Sequence, residues 1–206
     1  KVGNDMHGAF LKQAMVSAGV DMHALIEADD VFTTLAFVAL KPSGEREFSF
    51  ARKPGADTQL RSDELDCEML THTRVFHTGS LSLTQEPARS ATYEAIDIAK
   101  AAGAVISYDP NYRASLWSGK DEAIQFMRSL IVTADIMKVS DEELPLLTGE
   151  TDPSKAADVL QDQGVKIVAI TLGADGAYIR VGKDSKLVPG FRAKAVDTTG
   201  AGDTFF

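Results

Sequence analysis

The sequence contains a single cysteine among its 206 residues, Cys67, which excludes an internal disulfide. An unpaired cysteine is typical of a reducing compartment, so we expect a cytoplasmic protein. Long apolar runs are also missing, since none approaches the roughly 20 residues that a membrane-spanning helix needs. We therefore expect no membrane partner.

Positive charge is scarce as well. There are 21 lysines and arginines against 30 aspartates and glutamates, which gives a formal net charge of −9 at pH 7. This balance excludes a broad basic surface, so nucleic acid is not an expected partner. It does not exclude nucleotide binding, because a few local donors and a metal ion outweigh the mean charge of a chain.

The length suits one domain. The chain opens at Lys1 without a methionine, and it stops at Phe206 inside what reads as the start of a helix. We expect a single domain over residues 1–206 that is truncated at both ends.

From residue 73 onward, short apolar strands alternate with amphipathic helices. The predicted strands are Val75–Gly79, Ala104–Tyr108, Asp135–Val139 and Val165–Thr171, and a hairpin is predicted over Tyr178–Val188. The predicted helices are Glu86–Ala102, Asp121–Thr133, Asp141–Leu147 and Asp152–Gln163. This order predicts an α/β fold with a mostly parallel sheet and helices on both faces. Ligands bind such sheets beyond the carboxyl ends of the strands, so the residues that follow the strands are the site candidates.

The N-terminal third has a different pattern. A helix is predicted over His7–Ala18. Val31–Leu40 and Arg46–Arg52 read as two strands, and Lys41–Gly44 between them is a turn signal. The predicted hairpin, at about residues 31–52, is half polar and suits a lid over a binding site.

The last glycine-rich segment carries the strongest chemical signal. Gly200-Ala201-Gly202 lets the backbone turn tightly and approach a ligand closely. If a helix starts there, its first N–H groups converge on one point and form an anion hole that suits a phosphate. Asp203 beside them is able to accept a proton from an attacking hydroxyl. Transfer of a phosphoryl group to an alcohol needs these parts.

Several segments together resemble one family. Residues 197–205 (DTTGAGDTF) resemble the C-terminal signature of the ribokinase-like (PfkB) carbohydrate kinases. Residues 3–8 are similar to the family's early Gly-x-Asp-x-x-Gly turn, and residues 109–113 (DPNYR) to a strand-end motif of its fructokinase and 2-keto-3-deoxygluconate kinase branches. Residues 46–57 and 76–83 resemble fructokinase most closely. The resemblance covers nearly the whole chain and implies a ribokinase-like three-layer sandwich with a small β lid.

The resemblance implies a set of catalytic residues. Asp203 would be the base that activates the sugar hydroxyl, and the amides of Gly200, Ala201 and Gly202 would form the anion hole. Arg113 would reach the transferred phosphate or the sugar, since a guanidinium fork fits phosphate geometry.

The resemblance also implies ATP and Mg²⁺ as cofactors, with K⁺ as a further ion. The residues expected to contact the nucleotide are Lys138, Ser140, Thr171, Gly173 and Gly176. Glu143 corresponds to the acid of the family's Asn-x-x-Glu motif, which holds Mg²⁺ mostly through water. Ser140 stands where that motif has asparagine, which departs from the family's pattern. Asp197 would help to hold a monovalent cation.

The resemblance further implies that a sugar binds under the lid and that two copies of the chain pair through it. The residues expected to contact the sugar are Thr34, Phe48, Arg52, Asn111, Arg113 and Asp203. Closure of a lid would exclude water, which competes with the sugar as the phosphoryl acceptor.

The expected reaction is transfer of a phosphoryl group from ATP to D-fructose, giving fructose 6-phosphate. 2-Keto-3-deoxygluconate is the alternative within the family, because Arg52 is able to meet its carboxylate, although residues 46–57 favour fructose. A non-catalytic sugar- or nucleotide-binding scaffold is an alternative of another class, and the presence of Asp203 and residues 200–202 argues against it. An unrelated nucleotide-binding protein would require the strand-end motifs to match by coincidence.

Overall fold

The structure is a computed structural model that describes residues 1–40, 46–193 and 198–206. The chain divides into two compact units. The first unit comprises residues 1–73 and 82–102, and the second comprises residues 74–81 and 103–206.

The described part of the first unit combines three helices with two small sheets. The helices are α1 (Met6–Ser17), α2 (Cys67–His72) and α3 (Ala88–Ala101). Strand β1 (Val2–Gly3) pairs in parallel with β2 (Glu27–Ala28), and β3 (Leu35–Leu40) pairs antiparallel with β4 (Arg46–Ala51). The hairpin expected from the sequence is therefore present, while its turn at residues 41–44 lies outside the described residues.

The first hairpin strand begins at Leu35, so the prediction that it begins at Val31 is wrong. The reason is the loop before it. The Asp5 carboxylate accepts hydrogen bonds from the amides of His7 and Gly8, both at 2.9 Å, and so caps α1. Its second oxygen accepts from the Thr33 amide at 2.8 Å. Residues just before Leu35 are thus bonded to the α1 cap and are not available for a strand ladder.

The second unit is built on a six-stranded sheet in the order β10-β9-β8-β7-β6-β5. These strands are β5 (Val75–Gly79), β6 (Val105–Asp109), β7 (Ile136–Ser140), β8 (Ile167–Thr171), β9 (Gly176–Val181) and β10 (Asp184–Pro189). Strands β5 to β8 run parallel, and β9 and β10 form an antiparallel hairpin beside β8. The apolar runs predicted as buried strands supply the core, including Ile106, Tyr108, Met137, Val139 and Ile170. The mixed, mostly parallel sheet confirms the predicted α/β class.

Four helices accompany this sheet in the described residues, and two of them differ from the prediction by three or more residues at one end. They are α4 (Lys120–Ser129), α5 (Leu144–Leu147), α6 (Pro153–Asp162) and α7 (Ala201–Phe205). The helix predicted to reach Thr133 ends at Ser129 and continues as a 3₁₀ turn over Ile131–Thr133. The helix predicted from Asp141 begins only at Leu144, because a turn closes from the Glu143 amide to the Ser140 carbonyl at 3.1 Å.

Over residues 1–40, 46–193 and 198–206, none of the helices combines the length and the apolar character needed to cross a bilayer.

Candidate active site

The carboxyl ends of β6, β7 and β8 lie at one edge of the sheet, because these three strands are parallel neighbours. The segments at and beyond these strand ends contain residues 109–113, 140–143 and 171–176, where most of the predicted nucleotide and phosphate contacts lie. Hydrogen bonds join residues 109–113 to residues 140–143 and to α7.

Asp203 meets the loop that follows β6. The Asn111 side-chain amide donates to Asp203 Oδ1 at 3.4 Å, a long hydrogen bond between two exposed groups. Asn111 has a φ of 47°, the only positive φ of a non-glycine residue in the part of the chain that the structure describes. Two residues predicted to contact the sugar, far apart in sequence, are thus brought together.

The glycine-rich segment leads into α7, the helix that contains Asp203. Helix α7 begins at Ala201, and Gly200 before it has a φ of 74°, in the left-handed region. Of the three predicted anion-hole amides, that of Ala201 donates to the Thr198 carbonyl at 3.2 Å. The first amides of a helix have no intrahelical acceptor, so the amides of Gly200 and Gly202 keep the anion-hole role as a prediction, while that of Ala201 is already bonded.

Lys138 lies in the middle of β7 and is paired with Asp109 at the end of β6. The two side chains are 7% and 6% exposed, and Lys138 Nζ is 3.1 Å from Asp109 Oδ2. Burial raises the pKa of Asp109, while the ammonium of Lys138 acts in the opposite direction. The expectation that Lys138 contacts the nucleotide stays a prediction, and the contact observed is with Asp109.

Gly202 is the residue of α7 that lies against Lys138. A Cβ at Gly202 would be 2.9 Å from Lys138 Nζ, closer than carbon side chains approach their neighbours in folded proteins. The ammonium therefore occupies the space that a side chain at position 202 would need.

Glu143 joins two of the loops at the sheet edge. One of its carboxylate oxygens accepts from the Tyr112 amide at 2.7 Å. The other accepts from the amide and the hydroxyl of Ser140, at 2.9 and 2.8 Å. Glu143 is 6% exposed, so these three hydrogen bonds compensate the burial of its charge. The serine that replaces the family's asparagine is thus a hydrogen-bond donor to this carboxylate.

The hydrogen bonds already made by Glu143 fit a magnesium ion held mainly through water. A carboxylate oxygen accepts about two hydrogen bonds, so the oxygen bonded to Ser140 is fully used and the one bonded to Tyr112 keeps a single acceptor position. In the described ranges, there is no group of three or more histidine, cysteine, aspartate or glutamate residues able to hold a metal ion. Mg²⁺ usually keeps several waters and binds through one or two carboxylates together with phosphates. Asp197, the predicted ligand of a monovalent cation, lies outside the described residues.

The remaining predicted residues of this unit border the same loops. Arg113 is half-buried, and its guanidinium donates to the Tyr112 carbonyl at 3.0 Å. The Thr171 carbonyl accepts from the Asp141 amide at 3.0 Å. Gly173 and Gly176 form the turn into β9, and a Cβ at Gly176 would lie 2.5 Å from the Gly190 amide nitrogen. Close packing on the β10 end therefore accounts for glycine at position 176, and nucleotide contact there stays a prediction.

In the first unit, the hairpin strands border a cavity of about 610 Å³. Its lining includes Asp5, Thr33, Phe50 and Arg52. A cavity of this size accommodates a small ligand such as a monosaccharide. Phe48, also expected to contact the sugar, is half-buried and stacks on Phe50 with ring centroids 6.1 Å apart.

Arg52 is held by its neighbours in the first unit. Its side chain is 5% exposed, with its Nη2 2.6 Å from Asp57 Oδ2 and its Nη1 donating to the Thr84 hydroxyl at 2.7 Å. Thr34 donates its hydroxyl to the other oxygen of Asp57. Two predicted sugar-contacting residues thus share one carboxylate.

The sequence interpretation gave no role to Asp109 or Asp57. Both occur in segments quoted for the family resemblance, and a physical signal was available for the first. A lysine within the otherwise apolar strand Ile136–Ser140 requires a buried partner, because an isolated buried charge is strongly disfavoured. The register of β6 with β7 pairs Tyr108 with Met137, which places Asp109 beside Lys138.

A second cavity of about 520 Å³ in the first unit contains none of the predicted site residues. Its lining includes His23, Asp66, Glu68 and His72. His23 bridges Asp21 and Asp66 at 2.9 and 3.1 Å, and these bonds raise its pKa.

The geometry of the site agrees with what comparison of the chain with known proteins finds. Residues 1–206 match the family model described as pfkB family carbohydrate kinase. The chain belongs to this family. Its predicted membership is thereby confirmed over the full length of the chain.

Curated relatives are similar along the whole chain. Probable fructokinase-3 of Arabidopsis thaliana is 45% identical over 206 residues, and fructokinase-2 of Solanum lycopersicum is 42% identical over the same length. The chain spans 60% and 63% of these two relatives, or somewhat less than two thirds of their length.

Solved structures confirm the predicted ribokinase-like fold. The fructokinase of Vibrio cholerae O395, solved with fructose, ADP and calcium ion, has a TM-score of 0.88 and is 35% identical, covering 99% of this chain and 66% of that one. The fructokinase of Xylella fastidiosa with bound ATP has a TM-score of 0.90 and is 32% identical, covering 99% and 63%. The putative ribokinase II of E. coli has a TM-score of 0.91 at 31% identity, covering 99% of this chain and 65% of that one.

Proposed function

We propose that the protein is an ATP-dependent sugar kinase and that it converts D-fructose to fructose 6-phosphate. The observation that carries the proposal is the meeting of Asp203 with Asn111 at the start of α7, in a chain of the pfkB family. A carboxylate beside the first amides of a helix supplies both a proton acceptor and donors for a charged phosphoryl group.

In the proposed reaction, Asp203 accepts the proton of the sugar hydroxyl as its oxygen attacks the γ-phosphorus of ATP. A bond forms between the hydroxyl oxygen and the γ-phosphorus, and the bond from that phosphorus to the bridging oxygen of ADP breaks. The proton then passes from Asp203 to solvent. Asp203 is exposed at the start of α7, so its carboxylate is able to receive the proton from the sugar and to release it to solvent.

Charge on the transferred group would be met by donors from two segments. The amides of the first turn of α7 that have no acceptor within the helix would supply donors next to Asp203, and Arg113 of the 109–113 loop would add a guanidinium. Mg²⁺, bound through water at the Glu143 carboxylate, would supply neutralisation of the nucleotide phosphates. Lys138, Ser140, Thr171 and the glycines of the 173–176 turn remain the proposed nucleotide contacts, and a K⁺ ion near Asp197 remains part of the proposal.

Fructose is the preferred substrate in this proposal. Two curated relatives that are 45% and 42% identical carry the name fructokinase, and one solved relative holds fructose. The hairpin cavity of the first unit has room for a hexose. Pairing of two copies through the β3–β4 hairpin, and a cytoplasmic location, stay predictions.

The surroundings of Arg52 disfavour 2-keto-3-deoxygluconate, the alternative within the family. That substrate carries a carboxylate and would need an available cation under the lid. The Arg52 guanidinium is bonded to Asp57 at 2.6 Å and to Thr84 at 2.7 Å, so its charge is already compensated. A non-catalytic scaffold is disfavoured by the presence of both Asp203 and Asn111 in contact.

A coupled assay of ADP release on the full-length protein tests the proposal. It compares fructose, 2-keto-3-deoxygluconate, ribose and no sugar at saturating ATP and Mg²⁺. We expect turnover that depends on fructose. Turnover with 2-keto-3-deoxygluconate alone would overturn the substrate and keep the reaction. Nucleotide binding without turnover on any sugar would favour the scaffold.

A further inference from the structure

Two buried charges of opposite sign lie side by side on the neighbouring strands β6 and β7. Asp109 and Lys138 are 4% and 5% exposed as residues, and both oxygens of Asp109 accept from Lys138 Nζ, at 3.1 and 3.3 Å. Burial of an ion pair is a weak source of stability, since the loss of hydration of the two charges offsets their attraction. Stability alone is therefore a poor reason for a lysine in the middle of β7.

The aspartate of this pair is linked to Asp203 through one intermediate residue. Asp109 Oδ1 accepts a hydrogen bond from the Asn111 backbone amide at 3.2 Å. That bond helps to hold Asn111 in its left-handed conformation, which an L-residue adopts only at a cost. The Asn111 side chain then donates to Asp203 Oδ1 at 3.4 Å.

The lysine of the pair is linked to the same helix at the adjacent residue. Its ammonium fills the space next to Gly202, where a Cβ would come within 2.9 Å of Nζ. Asp109 fixes the position of this ammonium. The Asp109 carboxylate therefore positions two groups. The Lys138 ammonium lies against Gly202, and Asn111 contacts Asp203.

We propose that Asp109 and Lys138 are positioning residues for Asp203. The pair sets the location of α7 at Gly202 and the location of Asn111 at Asp203, and it acts on the transfer step through them without touching the sugar. The inference rests on the proposed function insofar as Asp203 is the base of a kinase, and it assigns to Asp109 a role that family membership alone does not supply.

The test uses the full-length protein and the double variant D109N/K138M. It removes both charges together, so neither is left buried and unpaired, and we expect its Tm to lie within about 4 °C of the wild type. We expect kcat to fall by about 100-fold, because a shift of the base by about 1 Å is enough for such a loss. KM for fructose should change by less than about threefold, since the pair does not touch the sugar, whereas KM for ATP also responds to loss of the proposed nucleotide contact of Lys138.

A matched control removes an ion pair of similar burial in the first unit. Lys1 Nζ and Glu64 Oε1 are 2.5 Å apart, with side chains 5% and 14% exposed. We expect K1M/E64Q to keep wild-type kcat. A D109N/K138M protein with wild-type kcat would overturn the proposal.

Two further measurements cover a double variant that does not fold and a wild-type protein that has no activity. N111G keeps a residue that tolerates the positive φ and leaves the buried pair intact, and we expect kcat to fall about tenfold, as for one lost hydrogen bond. Wild-type kcat in N111G would overturn the link to Asp203.

Hydrogen exchange of the peptide over residues 198–206 is read independently of catalysis. We expect exchange at least about tenfold faster in D109N/K138M, or in the single variant D109N should the double variant not fold, and unchanged in K1M/E64Q. Unchanged exchange in the Asp109 variants would overturn the positioning role. Absence of turnover in the wild type with altered exchange in these variants would reject the proposed function and retain the positioning of α7.

Discussion

Gly202 is a position of α7 where the neighbouring atoms leave no room for a side chain. Lys138 Nζ is 3.1 Å from Asp109 Oδ2, so the ammonium has a fixed position, unlike the end of an exposed lysine side chain. Its position next to Gly202 leaves no room for a Cβ. The glycine that the family signature places beside Asp203 is thus required here by a contact with the protein's own lysine.

Gly202→Ala should reduce kcat by about 10- to 100-fold, because the new methyl group must displace the ammonium from Asp109 or move α7. Steady-state kinetics on the full-length protein measures the effect. Gly119→Ala is the control, since a Cβ there meets no atom within 4 Å. Equal activity of the two variants would show that the contact with Lys138 does not constrain α7.

Glu143→Gln should lower the free energy of unfolding by about 1–3 kcal/mol, because the glutamine amide group cannot accept hydrogen bonds at both positions that face Tyr112 and Ser140. Urea denaturation of the two proteins gives the difference. Glu142→Gln, an exposed neighbour, should change it by less than about 0.5 kcal/mol. A Glu143→Gln protein as stable as this control would contradict the role of the carboxylate in joining the two loops.

At the level of single residues, the sequence predicts that Asp203 and Asn111 share a site, and the structure brings the two side chains into contact. The ligand contacts expected of Lys138 and Arg52 stay predictions. The structure adds an aspartate of the chain as a partner of each, which the sequence interpretation did not include. The sequence around a lysine or arginine does not indicate whether its partner is a ligand or a buried carboxylate. The partner becomes known only from the fold.

Among the elements, the loop between β1 and α1 has the most specific requirements. Asp5 satisfies the amides of His7, Gly8 and Thr33 with its two oxygens. These hydrogen bonds, above all that from Thr33, lower the pKa of Asp5 from its usual 3.8 to about 2. A carboxyl group with a lowered pKa in the folded state favours folding above its unfolded pKa, and this contribution disappears as the pH falls toward the folded value.

Asp5→Ala should therefore lower Tm at pH 7 more than Asp5→Asn does, because asparagine still caps a helix. The difference in Tm between wild type and Asp5→Ala should shrink as the pH falls from about 4 to about 2, the window between the two pKa values. Thermal unfolding followed by circular dichroism over pH 2–7 tests both. A difference that stays constant down to pH 2 would contradict the lowered pKa.

Element boundaries show where sequence patterns stop being informative. The period of apolar residues correctly predicted the β5–β8 strands and the β9–β10 hairpin to within about two residues, since burial on a sheet depends on side chains that the sequence displays. It misplaced the start of β3 and of α5. The start of β3 follows from the hydrogen bond between the Thr33 amide and Asp5, and the start of α5 follows from the turn in which the Glu143 amide donates to the Ser140 carbonyl.

For the whole molecule, the alternation of strands and helices was enough to predict the α/β class, because a parallel sheet needs crossover helices. The ribokinase-like assignment came from motifs and agrees with TM-scores of 0.88 and 0.90 against two fructokinases. The small parallel pair of β1 and β2 was not predicted, since two-residue strands show no period.

Ligand binding should raise the stability of the full-length protein. Fructose with a non-hydrolysable ATP analogue, each at about 100 times its Kd, should contribute about 2.7 kcal/mol per ligand and raise Tm by several degrees. Differential scanning fluorimetry measures the shift, and D-sorbitol, an open-chain hexitol without the ring of fructose, is the control. A shift with sorbitol equal to that with fructose would contradict a specific sugar site.

The most direct test of the account is a rapid-quench single turnover with [γ-³²P]ATP, Mg²⁺ and fructose on wild type and Asp203→Asn. We predict labelled fructose 6-phosphate from the wild type and a rate about 10²- to 10⁴-fold lower in the variant, with ATP binding retained. Labelled product formed at the wild-type rate by Asp203→Asn would contradict the assignment of Asp203 as the base.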